Sequence, residues 1–229
     1  IDLEQPFRFW ELFYYINLTS PISWGSFLLT IYPINCLIYG FFMFRGDMKR
    51  TKFFGLLGIP LALLVHGYTG FILALGKARI LWNTALMPVI FLVSAMVSGI
   101  AMMILVLIIK DKYFSPERRV NTSLLTDMAK LLSLSIIFDL GLILTDILVL
   151  LSSHDDAWES ALLILKGEFA LSFVGVEIIL GAFIPLILII YYRRTQKTMG
   201  VGIASVLVMI GIFAMRYVMV MGGQYPPLY

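Results

Sequence analysis

Six long apolar runs leave this chain few ways to fold: about 22–44, 54–76, 84–110, 126–152, 169–192 and 200–221. At ~1.5 Å of rise per helical residue, about twenty such residues cross a ~30 Å hydrocarbon core. With 60% of its 229 residues hydrophobic and 14% charged, the chain carries more apolar surface than a water-soluble core can enclose. Transmembrane barrels read as short alternating segments instead. The expectation is therefore all-α: a polytopic transmembrane helix bundle of six spans, one domain over residues 1–229.

Local signals fill in the chain order. Residues 1–20 read as an interfacial helix from Gln5 to Ile16, with Phe9, Phe13 and Ile16 on one face and Trp10 and Tyr14 beside them. Ser20-Pro21 supplies an N-cap and a first-turn proline for the first span. Pro33 and Asn35 fall near the middle of that span, Gly58 and Pro60 in the second, and Pro185 in the fifth. In the third span Ser94/Ser98 and Ala95/Gly99 have the spacing that lets helices approach closely in lipid. Trp158 to Leu165 reads as an amphipathic piece between the fourth and fifth spans, and the tail from Gly222 to Pro227 as unable to continue a helix. The chain lacks an initiating Met and an N-terminal leader pattern, so the natural protein is expected to begin upstream.

Loop charge orients the spans. The connections after the first, third and fifth carry Arg45, Lys49, Arg50, Lys52, Lys110, Lys112, Arg118, Arg119, Arg193, Arg194 and Lys197. The N-terminal stretch and the other two connections carry Arg8, Lys77, Arg79 and Lys166. By the positive-inside rule the first group is cytoplasmic and both ends of the chain lie outside. The net charge of +3 thus belongs to loops at the lipid bilayer, and no nucleic-acid partner is implied. One cysteine, Cys36, cannot build a disulfide framework or an iron–sulfur or zinc site, and no metal site is expected. Bis-histidine haem would need His66 and His154, one near the midplane and one in an outer loop, so no haem is expected either.

Four ionisable residues stand where hydrocarbon should surround them: Asp139 and Asp146 in the fourth span, Glu177 in the fifth and Arg216 in the sixth. A charged side chain at the bilayer centre costs about 2.5–3.5 kcal/mol on insertion scales, so such groups face other helices and often mark a proton or ion path. Asp139 and Asp146, seven residues apart, share a helix face and form a stripe from midplane to outer surface. The structural alternative has Arg216 paired with Asp146 or Glu177 as a clamp, or snorkelling to outer headgroups.

His66-Gly67-Tyr68-Thr69-Gly70 places polar side chains and close-approach surface inside the second span. His66 and Tyr68 diverge by about 200° on an ideal helix, so both reach one ligand only if the helix bends at Gly67 and Gly70. A packing histidine is the plainer reading of His66.

The motif, followed by Leu81-Trp82-Asn83-Thr84-Ala85-Leu86-Met87-Pro88 and by Phe91 to Gly99, resembles the NrfD/PsrC family of membrane subunits. Ser20 to Gly25, Gly175-Val176-Glu177, Arg216-Tyr217-Val218 and Gly223-Gln224 resemble it too, in the family's order. The resemblance implies a haem-free multi-pass subunit in the cytoplasmic membrane of a prokaryote, within an anaerobic respiratory complex. Such subunits exchange electrons between menaquinone or ubiquinone and an outer-face, ferredoxin-like iron–sulfur subunit joined to further redox subunits. Some are proposed to translocate protons. Tyr68 then becomes a hydrogen-bond donor to the quinone, with His66, Gly67 and Gly70 around it, and Asp139, Asp146, Glu177 and Arg216 form a proton path. Family members have eight or more spans, and the match here begins at their third.

Two other functions stay open on the residues alone. Buried charges and proline-interrupted spans also suit an ion-coupled transporter or proton channel, although no inverted repeat is visible. A passive anchor for an outer redox subunit is the third reading.

Overall fold

The computed structural model describes residues 10–17, 19–113, 122–153, 155–195 and 198–225. Every regular element among them is helical: α1 (Glu11–Tyr14), α2 (Pro21–Arg45), α3 (Met48–Ala74), α4 (Met87–Tyr113), α5 (Thr122–Leu151), α6 (Asp155–Leu165), α7 (Leu171–Thr195) and α8 (Thr198–Gln224). Six of these, α2 to α5 with α7 and α8, are long and apolar enough to cross a membrane. The chain is a polytopic transmembrane helix bundle. It divides into two compact units, residues 1–73 and 74–229.

Helix ends depart from the sequence reading for identifiable reasons. Pro21 occupies the first turn of α2 and Ser20 its N-cap, yet the Ser20 side chain makes no capping bond. Ser23 Oγ instead accepts the Asn17 N–H at 3.2 Å. The basic turn after α2 is shorter than expected, because Gly46 ends that helix at φ 77 and the next begins at Met48. Asp47 Oδ1 accepts the Arg50 N–H at 3.2 Å, and its other oxygen lies 3.3 Å from Arg50 Nε. Gly222 and Gly223, read as a helix stop, continue α8 to Gln224. In lipid, unsatisfied backbone groups are costly enough to keep glycines helical. Of the expected N-terminal interfacial helix, the described residues 10–16 form only the turn α1; residues 5–9 lie outside the described residues, as do Pro226 and Pro227.

In the first unit α2 and α3 run through Pro33 and Pro60 without a break. In the second unit α8 packs against α4 and along the whole of α7, and α5 packs on α4. Two apolar clusters fill this bundle. One joins Val97, Leu132, Ile189, Tyr192 and Val208 with their neighbours, and the other joins Leu81, Ile143, Ile164, Phe173 and Val218.

Helix α7 has two windings. Leu171–Phe183 is a π-helix with i→i+5 bonding, and Ile184–Thr195 is an α-helix. In an α-helix, residues four apart drift about 40° around the axis. The wider π winding reverses the sense of that drift, and Phe173, Glu177 and Gly181 all lie on the buried face. There α7 meets α8 backbone to backbone: a Cβ on Gly181 would strike the Gly211 Cα. At the small-residue spacing read in α4, Ser94 is fully buried. Gly99 is exposed and has nothing within 4 Å of where its Cβ would be.

Candidate functional site

The His66-to-Gly70 motif is a regular part of α3. Helix α3 runs unbroken through Gly67 and Gly70. Gly67 has open space beside it, and Gly70 is buried. His66 Nδ1 donates to the Ala62 carbonyl at 2.8 Å, and Thr69 Oγ1 donates to the His66 carbonyl at 2.7 Å. The Nδ1–H tautomer leaves Nε2 as an acceptor. The imidazole meets Tyr32 of α2 edge-on, with centroids 6.5 Å apart.

Tyr68 is half-buried, and its phenol occupies the notch where Gly25 of α2 lacks a side chain. Any larger residue at position 25 would collide with the phenol oxygen and ring carbons. Lower in the hairpin, Asn35 Nδ2 donates to the Phe54 carbonyl at 3.2 Å, while Asn35 Oδ1 is buried without a partner. The two helices thus present each other with polar, uncharged groups.

The carboxylates lie in the second unit. Asp139 and Asp146 stand on the buried face of α5 in the series Leu132, Ile136, Asp139, Ile143, Asp146 and Leu150. Glu177 projects from the π-wound part of α7, and Asp139 is close enough to act on it electrostatically. Asp139, Asp146 and Glu177 are 7%, 3% and 5% exposed, respectively. One oxygen of Asp139, one of Asp146 and both of Glu177 are buried without a hydrogen-bond partner. Along the helices, Asp139 and Glu177 fall between the two apolar clusters, and Asp146 lies about two turns further along α5, inside the second.

Arg216 does not clamp these acids. It makes no ion pair with Asp146 or Glu177 among the described residues, and its guanidinium stands 5.0 Å from the centroid of the Phe91 ring on α4. A cation over an aromatic face gains about 0.5–2 kcal/mol, less than a buried, hydrogen-bonded carboxylate would supply.

The connection between α3 and α4 closes one end of the bundle. Trp82 Nε1 donates to the Met219 carbonyl at 2.6 Å, and its indole fills the notch left by Gly223. Arg79 Nη1 reaches the Gln224 carbonyl at 3.3 Å. Beside this loop Phe169 packs against Tyr217 and Tyr225, with centroids 6.3 and 5.8 Å away. The Glu168 carboxylate holds the Tyr225 phenol above its ordinary value.

Sequence reasoning quoted Gly25, Trp82, Phe91 and Gly223 without giving any of them a role. Gly25 and Gly223 were legible only as glycines, because the aromatic residue filling each notch comes from a distant point in the chain. His154, weighed for haem, lies outside the described residues.

The family described as "Polysulphide reductase, NrfD" matches residues 1–227. A selenate reductase subunit of Mesobacillus selenatarsenatis is 26% identical, over 99% of this chain and 61% of that protein. The integral membrane subunit of an Hdr-like menaquinol oxidoreductase from Archaeoglobus fulgidus is 27% identical, over 99% of this chain and 57% of that protein. Protein NrfD of Escherichia coli is 24% identical, over 97% and 76%. The chain spans about three fifths of the length of the first two relatives. It belongs to the NrfD family and is an integral, multi-pass membrane protein.

Proposed function

We propose that this chain is the quinone-reactive, haem-free part of a respiratory oxidoreductase in a prokaryotic cytoplasmic membrane, working with an outer iron–sulfur subunit. The relatives are named as subunits of selenate reductase and menaquinol oxidoreductase. The observation that carries the proposal is the set of three buried carboxylates with unpartnered oxygens. Quinone chemistry moves two protons with its two electrons, and buried acids without counter-charges are suited to pass protons on. Tyr68 is assigned as a hydrogen-bond donor to a quinone oxygen, with His66 as a nearby ring whose Nε2 accepts. Asp139, Glu177 and Asp146 are assigned to proton movement, and Arg216 to the charge balance of that path. Electrons come from or go to the partner, and the quinone, menaquinone or ubiquinone, is the substrate.

The test is Glu177→Gln in the intact complex, a change that keeps volume and removes the titrating group. Quinol-linked turnover should fall about 10²-fold, the scale of a lost proton-transfer group, while the complex assembles normally. Loss of assembly in parallel with activity would favour a passive anchor. Proton flux through liposomes without quinone or partner would favour a channel, a reading the same unpaired acids also support.

A further inference from the structure

Arg216 is a half-buried cation that no protein anion meets. Among the described residues it makes neither an ion pair nor a hydrogen bond, and its guanidinium rests 5.0 Å from the centroid of the Phe91 ring. A guanidinium carries five N–H donors, and an aromatic face offers them no oxygen. Its depth follows from its neighbour. Phe91 stands nine residues from Ile100, the middle of α4, which is about 13 Å at ~1.5 Å of rise per residue. The hydrocarbon ends ~15 Å from the bilayer centre. The guanidinium therefore lies at the edge of the headgroup layer, on the side that loop charge assigns to the outside.

Inward from this cation, Leu105 of α4 and Val206, Met209, Ile210 and Phe213 of α8 line an open, apolar hollow of about 410 Å³. The two helices run antiparallel, with Gly202 against Ile108 at the inner end and Arg216 over Phe91 at the outer, so the hollow falls between these contacts. Met209 and Arg216, seven residues apart, share a face of α8. Phe213 is 73% exposed, so the hollow opens to lipid. From Arg216 to Val206 the axis runs ten residues, about 15 Å, the thickness of one hydrocarbon leaflet. The geometry points to this seam as a seat for an outer-leaflet phospholipid. The phosphodiester accepts N–H bonds from Arg216, and one acyl chain lies along Phe213, Ile210 and Met209 to Leu105. Charge complementarity selects this occupant, because phosphate oxygens match the guanidinium fork and hydrocarbon matches the hollow. A free phosphate would leave the hollow empty, and an isoprenoid tail would leave Arg216 without an anion. The seat does not rest on the quinone reading.

The experiment places the full-length protein, in its complex, in phosphatidylglycerol vesicles doped with a phosphatidylglycerol that carries a photoreactive diazirine on one acyl chain. After irradiation, peptide mass spectrometry locates the cross-links. They should concentrate on residues 206–213. A diacylglycerol with the same chains and no phosphate should label these residues about tenfold less, the scale of one hydrogen bond to a charged group. Equal labelling by the two probes would make the hollow a seat for any hydrocarbon chain, a quinone tail included, and overturns the proposal. This comparison is made on the natural protein and needs no variant to fold. Arg216→Gln should bring the phospholipid probe down to the diacylglycerol level, and labelling of that variant at the natural level overturns the proposal. Inorganic phosphate added in excess should leave the labelling unchanged. If it displaces the probe, Arg216 holds a free anion and the proposal falls.

Discussion

The α2–α3 hairpin and the bundle of α4, α5, α7 and α8 are made of similarly apolar helices put to different use. Burial in the most apolar stretch is 6% for α2 and 11% for α3, but 33% for α4, α5 and α7 and 44% for α8. Charge follows burial. Between Pro21 and Phe44, and again between Phe53 and Gly76, no residue carries a formal charge, whereas Asp139, Asp146, Glu177 and Arg216 all lie within the bundle. Ionisable groups are placed where protein replaces lipid around them. The hairpin offers instead neutral hydrogen-bonding groups, Tyr32, Asn35, His66 and Tyr68, suited to a ligand that is itself neutral and largely apolar.

The contrast can be broken most forcefully with one substitution made in both regions. Gly181→Ala would push a methyl group into the Gly211 backbone, and overpacking of this kind costs about 1–3 kcal/mol. Gly40→Ala, with nothing within 4 Å, should be neutral or stabilising by up to about 1 kcal/mol. Thermal unfolding of the solubilised complex compares them, and equal effects would contradict the difference in packing.

A smaller effect, confined to function, is expected at the hairpin notch. Gly25→Ala must displace the Tyr68 phenol. Misplacing a positioned group can cost up to about 10²-fold in rate, so quinol-linked turnover should fall while the melting temperature stays near its natural value. A large stability loss with normal kinetics would make the notch purely structural. The smallest effect is expected for Asn35→Ala, which removes the bond to the Phe54 carbonyl. Interhelical hydrogen bonds in membranes average about 0.6 kcal/mol, so unfolding should shift slightly and turnover little.

Most of the fold was legible because its signal is one-dimensional: spans of sufficient length and low charge announce themselves in any window of the chain. The face shared by Asp139 and Asp146 was legible for the same reason, since a seven-residue spacing on a helix needs no partner to be read. Three features depended on what faces them. The π winding at Glu177 leaves no local mark in Leu171–Phe183 and shows itself in the meeting of Gly181 with Gly211. The Tyr68 notch needs Gly25, and the notch at Gly223 needs the Trp82 indole from far along the chain. The clamp alternative for Arg216 is not formed, because opposite charge in sequence says nothing about distance, and Phe91 stands beneath the guanidinium instead.

The measurement that tests the central claim most directly is quinol-linked turnover of Tyr68→Phe in the intact complex, with assembly and the partner's clusters monitored in parallel. This variant keeps the ring against Gly25 and removes only the hydroxyl. Depressed turnover with assembly and clusters unchanged is the predicted result. Turnover at the natural level would remove Tyr68 from the quinone site and contradict the proposed function.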